Sequence, residues 1–206
     1  MTQVVSKIGL SLGDPNGIGP EIALKALSQL PASALQSITV FGSEWVWHKT
    51  ADSLGLVQLA QQVQIKNCGS LSESEFNPGL VSAAAGKSAV DSATAAIQAC
   101  QAGHLDAVIA CPHHETAIHQ AGIAFSGYPS LVAKVCGLKE DDVFLMLVGG
   151  GLRIVHVTLH ESVQTALNRL SPQLIEKATI AGIQACVRLG LESPKAVSYT
   201  HLRAHE

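Results

Sequence analysis

The sequence predicts an α/β protein with a mostly parallel sheet, and three observations carry that expectation. Short apolar runs of strand character alternate with helical runs of roughly 10–20 residues, the pattern of strands joined by helical crossovers. Apolar residues make up 47% of the 206-residue chain and the mean hydropathy is +0.28, enough to bury a core. Charged residues are 14%, well below the ~25% of an average soluble chain, which excludes disorder. The 13 Lys+Arg against 16 Asp+Glu leave a net charge of −3 with no basic run, so nucleic acid is not an expected partner. No stretch approaches ~20 consecutive apolar residues, so no membrane partner is expected either. The amino terminus reaches Gly13-Asp14 too early for a signal-peptide apolar region, and a cytoplasmic location follows as an expectation.

Taken in order, Lys7–Leu12 reads as a strand closed by Gly13-Asp14-Pro15, and Pro20–Leu30 as a helix. Proline in the first turn needs no N–H partner, and Glu21 complements the helix dipole. Ser37–Gly42 is a second strand, Glu44–Leu54 a helix carrying both tryptophans, and Val63–Lys66 a short third strand. Ser70–Asn77 is polar and reads as loop. Ser82–Gln101 is a long Ala-rich helix, and Ala107–Cys111 a short buried strand. Phe144–Val148 and Arg153–Thr158 flank Gly149-Gly150-Gly151 and read as a β-hairpin, the candidate crossover between two lobes. Ser171-Pro172 opens a last helix running to Leu189 and stopped by Gly190. The cysteines Cys68, Cys100, Cys111, Cys136 and Cys186 form no CxxC pair and read as buried thiols of a reducing compartment.

Three segments carry candidate chemistry. Gly13-Asp14-Pro15-Asn16-Gly17-Ile18-Gly19-Pro20-Glu21 lies between a strand and a helix, where a site or a tight structural turn are both open readings. It is neither a Walker loop nor a dinucleotide fingerprint. Cys111-Pro112-His113-His114-Glu115-Thr116-Ala117-Ile118-His119 invites a zinc-protease reading, but its histidines 114 and 119 are five apart. That spacing rotates one away from the other by roughly 100° on a helix, so the metalloprotease is rejected. A loop lining a site and a pair of surface histidines both remain open for it. In His156-Val157-Thr158-Leu159-His160, two histidines four apart on a strand are ~13 Å apart and cannot share one metal. His160, at the strand end, is the better ligand candidate, and His156 reads as a satisfied core histidine.

GDPNGIGPEI, then Ala121-Gly122-Ile123-Ala124-Phe125-Ser126-Gly127, then Val157-Thr158-Leu159-His160 together resemble the 4-hydroxythreonine-4-phosphate dehydrogenase family of vitamin B6 biosynthesis. The resemblance runs from Lys7 to Lys195. It implies a two-lobed α/β/α fold like that of isocitrate and isopropylmalate dehydrogenases, a homodimer, NAD or NADP, and a divalent metal held by three histidines. His160 matches the first of these; zinc, magnesium, iron and cobalt are not distinguished. Catalytic and cofactor-contacting residues stay unassigned.

Departures from the family pattern point to a branch. Tyr128 and Pro129 stand where the family has a His-Thr pair on the substrate phosphate, and Glu115 where it commonly has Lys. Losing an imidazole and a cation while gaining a carboxylate makes a poorer phosphate site. Tyr128, Pro129 and Glu115 are thereby the expected substrate-binding residues, and the stretch looks like the branch that oxidises the cis-dihydrodiol of terephthalate. The implied activity is a metal-dependent NAD(P) dehydrogenase oxidising a β-hydroxy acid with decarboxylation. The alternatives are a 4-hydroxythreonine-4-phosphate dehydrogenase of pyridoxal phosphate biosynthesis and a non-catalytic binding protein derived from the family. Against family length, residues 1–195 read as the N-terminal two-thirds of the fold, one α/β lobe plus part of the second. Residues 196–206 read as a non-native tail, and the 206-residue polypeptide is expected to be inactive.

Overall fold

Alternating apolar residues give the strands of the chain two faces to cover, and the helices between them supply the cover. The computed structural model describes residues 6–69 and 71–198. They fall into two units divided between Gly137 and Leu138.

In the first unit, β1 (Ile8–Ser11), β2 (Ile38–Gly42), β3 (Gln64–Asn67) and β4 (Ala107–Ala110) form a parallel sheet in the order β3-β2-β1-β4. The connections are α1 (Gly19–Leu27), α2 (Ala32–Leu35), α3 (Glu44–Leu54), α4 (Val57–Gln62) and α5 (Ala83–Gln101). The unit closes with α6 (Glu115–Gln120) and α7 (Tyr128–Cys136). On one face of the sheet, Leu10, Leu12 and Val40 meet Leu24, Leu27, Trp47 and Ala51. Trp47 is fully enclosed, and its indole N–H donates to the Ala60 carbonyl at 3.3 Å, so the largest core side chain carries no unmet donor. On the other face Phe41 packs with Ala96 and Leu105, and Ser11 bonds Ser92 of α5 through their hydroxyls at 3.1 Å.

The expected strands and long helices are present, with ends that differ by a few residues. Serines begin several of the helices: Ser43 accepts from the Val46 N–H and Ser82 from the Ala85 N–H. The first helix ends at Leu27 rather than Leu30. The short helices α2, α4, α6 and α7 were not legible as periodic runs, because one or two turns hold too few residues to show a period. The segment read as a site-lining loop after β4 becomes α6 from Glu115 onward, with Ala117 and Ile118 buried beneath it. The strand expected to be buried is not: β4 is an edge strand of this sheet, and Ile109 is 53% exposed.

The second unit holds the hairpin of β5 (Leu145–Gly149) and β6 (Leu152–His156), then α8 (Val163–Arg169) and α9 (Pro172–Arg188). Leu147 lies opposite Ile154, and Gly149 opposite Leu152, leaving Gly150-Gly151 as the two-residue loop. Their φ values of +55° and +81° are the left-handed pair that such a hairpin turn demands. Helix α9 packs so closely on β6 that a Cβ on Gly182 would lie 2.7 Å from a methyl of Val155. Arg169 ties Glu161 to Asp141, and Lys177 bonds Asp142 at 2.6 Å. The strand expected to run to Thr158 ends at His156, and residues 157–160 turn away from strand geometry. Residues 196–198 have no regular structure, and the rest of the expected tail lies outside the described residues. Among the described residues, no helix is long and apolar enough to cross a membrane.

Candidate functional site

The carboxyl ends of β1 and β4 lie side by side, which is where an open parallel sheet presents its site residues. Backbone bonds lock the two ends together: Cys111 N–H to the Ser11 carbonyl and Asp14 N–H to the Pro112 carbonyl, both 2.9 Å. Gly13 makes this approach possible, since its φ is +69° and a Cβ there would sit 2.2 Å from the Pro112 carbonyl oxygen.

The glycine-rich turn is held as a structural knot. Buried Asp14 accepts the Asn16 N–H at 2.8 Å. The Asn16 side-chain amide donates to the carbonyls of Glu75 and Leu80 and to the Ser82 hydroxyl, while its oxygen accepts the Asn77 N–H at 2.9 Å. One side chain thus pins the 72–82 connection, the start of α5 and the β1–α1 turn to each other.

Past β4, the His113 ring is clasped edge-on by two aromatic rings. Its centroid is 4.7 Å from that of Phe125 and 4.7 Å from that of Tyr128, at interplanar angles of 75° and 84°. Phe125 and Tyr128 complete the triangle at 6.2 Å. Burial pushes the His113 imidazole below its ordinary pKa, against the opposing pull of the Glu115 and Asp14 carboxylates, and His114 pushes the same way as burial. The Tyr128 hydroxyl donates to the Cys111 carbonyl at 2.8 Å, and burial pushes its pKa up to about 12. Burial likewise pushes the Cys111 thiol up to about 11, so it is an inert core thiol.

Of the residues expected to bind substrate, Tyr128, Pro129 and Glu115 all belong to this first unit. Tyr128 and Pro129 open α7, where proline in the first turn sacrifices no helical bond, and Gly127 precedes them at φ +106°. Both side chains are half-buried, whereas Glu115 is exposed in the first turn of α6. His119 bonds the Phe125 carbonyl through Nε2 at 2.8 Å, on a helix that His114 precedes, so the two are not a chelating pair. Sequence reasoning quoted His113, Phe125 and Asn16 within its motifs but gave none of them a role. The available signal for His113 was its position just beyond a strand end; for Asn16 it was an amide inside a glycine-rich turn.

His160 belongs to the second unit, is exposed, and holds φ +50°, left-handed for a residue other than glycine. Its neighbour Glu161 has both carboxylate oxygens on Arg169 at 2.9 Å. His156 is not the satisfied core histidine expected: although it pairs with Leu145 in the hairpin, its Nδ1 is buried without a hydrogen-bond partner among the described residues. Among the described residues, no three His, Cys, Asp or Glu side chains are gathered to hold a metal ion. A single imidazole falls short of the three protein ligands of a catalytic zinc-type site, so these residues do not by themselves fit one.

The class is that of an open parallel α/β sheet, with polar and aromatic residues gathered at adjacent strand ends, where such sheets place their ligand sites. The chain belongs to the family described as pyridoxal phosphate biosynthetic protein PdxA, which matches residues 33–198. It is 55% identical to a 1,2-dihydroxy-3,5-cyclohexadiene-1,4-dicarboxylate dehydrogenase of Comamonas sp over 97% of this chain and 63% of that one. Among solved structures it is similar to a terephthalate 1,2-cis-dihydrodiol dehydrogenase from Burkholderia xenovorans, at 42% identity and a TM-score of 0.69 over 92% of this chain and 59% of that one. A 4-hydroxythreonine-4-phosphate dehydrogenase from Burkholderia phymatum matches at 25% identity and a TM-score of 0.77, over 94% of this chain and 62% of that one. The chain therefore spans a little under two thirds of the length of these relatives.

Proposed function

We propose that this chain is part of an NAD(P)-dependent dehydrogenase that oxidises a carboxylated aryl cis-dihydrodiol, with loss of CO2, and that acts as a cytoplasmic homodimer. The observation that carries this reading is the engagement of Tyr128. At the position where the family places an imidazole on a phosphate, this side chain has its only donor bound to the Cys111 carbonyl, and what remains is an aromatic face. Pro129 brings no hydroxyl beside it, and Glu115 and Asp14 add negative charge near His113. Such surroundings offer a phosphate neither the imidazole nor the hydroxyl that the family pattern supplies, and they present an aromatic face to a carbocyclic ring. The 55% identity to the Comamonas dehydrogenase supports the same choice.

The chemistry balances simply. The C–H of the carbinol carbon β to the carboxylate would leave as hydride, for which a bound nicotinamide would be the acceptor, and the hydroxyl proton would leave with it. The resulting β-keto carboxylate would lose CO2, and the electron pair of the broken C–C bond would form a ring enolate that takes up one proton to give the aromatic catechol acid. His160 contributes one ligand to a divalent metal in this proposal. Its left-handed backbone supports the assignment, since such strain of ~1–3 kcal/mol persists where the surroundings enforce it, often at functional sites.

Assays of the full-length protein with both substrate types decide the reading. A higher kcat/KM for the dihydrodiol is expected; a higher value for the phosphorylated hydroxy-amino acid overturns it. His160→Ala is expected to remove bound metal, read by elemental analysis, along with turnover.

A further inference from the structure

The hairpin of β5 and β6 has two faces, and its own unit covers them unequally. Cross-strand partners share a face, and successive residues along a strand point to opposite ones. Met146, Val148, Arg153 and Val155 therefore lie on one side, and Leu147, Leu152 and Ile154 on the other. Helix α9 takes the Val155 side, where the close approach of Gly182 places it. On the opposite side Leu147, Leu152 and Ile154 are all exposed, with Leu145 and His156 half-buried at the base. The hairpin is a sheet of two strands, and two strands need a packed apolar face to hold in water. Arg153 is the only Asp, Glu, Lys or Arg between residues 143 and 158, and it stands on the α9 side. The bare face is thus apolar and uncharged toward its tip.

We propose that this face is the contact between two copies of the chain, the hairpins packing face to face about a two-fold axis. This rests on the homodimer reading above and names the surface for it. A two-fold axis sets a patch against the same patch, so a charged face would repel itself, whereas a neutral apolar one is self-complementary. The single cation of the hairpin, Arg153, is kept off the contact by pointing to the α9 side. A polar or charged partner would find no group to pair with between Leu147, Leu152 and Ile154. The area agrees with a second copy. These three side chains leave on the order of 300 Å² exposed, and a standard interface takes ~800 Å² from each partner, a little over half of it non-polar. The hairpin face therefore supplies most of the non-polar share that a stable dimer needs.

The test uses the full-length protein, with size-exclusion chromatography and light scattering as the readout. The unaltered protein is expected to run as a dimer. Ile154→Glu and Ile154→Lys each set like charges against one another across the axis, and each is expected to raise the dimer Kd about 100-fold or more. Mixing the two variants is expected to restore the dimer, since Glu then meets Lys; a different occupant of the face would not respond to the mixture. Should a variant melt early by circular dichroism, benzoylphenylalanine in place of Leu152 keeps the face apolar. Irradiated in a mixture of light and heavy-isotope copies, it is expected to crosslink to residues 145–156 of another copy, read by mass spectrometry. A crosslink confined to its own chain, folded variants that stay dimeric, or a mixture that stays monomeric each overturns the proposal. Failure of the homodimer reading looks different. An unaltered protein that is monomeric overturns both, whereas a dimer indifferent to both substitutions overturns the surface and leaves the homodimer standing.

Discussion

The Asn16 side chain meets four partners, three through its amide nitrogen and one through its oxygen, and all of them lie in another stretch of chain. Asn16 itself is buried, so Asn16→Ala takes away the partner of the Asn77 N–H and of two carbonyls at once. A loss of about 2–3 kcal/mol is expected in urea unfolding, at the upper end for one side chain. His113 links stability to pH. Its folded-state pKa lies below the unfolded value of 6.5, so between the two the unfolded chain binds more protons. The stabilising share is therefore complete above pH 6.5 and is lost as pH falls through the folded value. His113→Phe is expected to flatten this part of the stability profile, seen as a smaller drop in Tm between pH 7 and pH 5 than in the unaltered protein. Tyr128 acts at the other end of the scale: with its pKa raised from 10.0 to about 12, its share is present below pH 10 and disappears as pH climbs through 12.

Among the elements, α5 is the hub of the first unit. It covers β1 and β2 and also receives α6 and α7, and the contact with α6 is backbone against backbone. A Cβ on Gly86 would stand 2.2 Å from the carbonyl carbon and oxygen of Ala117, which cannot yield as a flexible side chain would. Gly86→Ala is expected to cost at least about 2 kcal/mol despite its better helix propensity, with the chevron or melting midpoint as readout. The same substitution in an open helix position would stabilise by ~1 kcal/mol, so even the sign of the effect tests the packing. Because α6 carries Glu115 and follows His113 directly, this close approach also sets where those two side chains stand.

At the scale of the whole chain, the hairpin is a run of exposed apolar side chains among the described residues. Leu147, Val148, Leu152 and Ile154 are 53%, 60%, 64% and 49% exposed, and Leu147 and Ile154 are direct cross-strand neighbours. Contiguous apolar surface of this kind drives association. The 206-residue polypeptide is expected to scatter light as oligomers, and Leu147→Lys with Ile154→Glu, an opposite-charge pair across the ladder, is expected to reduce that scattering without lowering the melting temperature. Unchanged oligomer size would place the association elsewhere.

How far the residues announce this arrangement varies with the range of the interactions involved. Strands, long helices, capping serines and the triple-glycine turn follow from local patterns: the alternation of β2, the Ser43 and Ser82 caps, and the Gly150-Gly151 pair can each be read within a few neighbouring positions. Family membership was legible for the same reason, in three short ordered motifs, one ending at His160. The exposed edge of β4, the unpaired Nδ1 of His156 and the inward turn of the Tyr128 hydroxyl were not. Each depends on what a distant stretch of chain places alongside: a strand on one side only, no hydrogen-bond partner for residue 156 among the described residues, a carbonyl at residue 111 beside residue 128. The clasp around His113 is of this kind too, because Phe125 and Tyr128 reach it from beyond α6, and only the folding of that helix onto Gly86 brings three rings into contact.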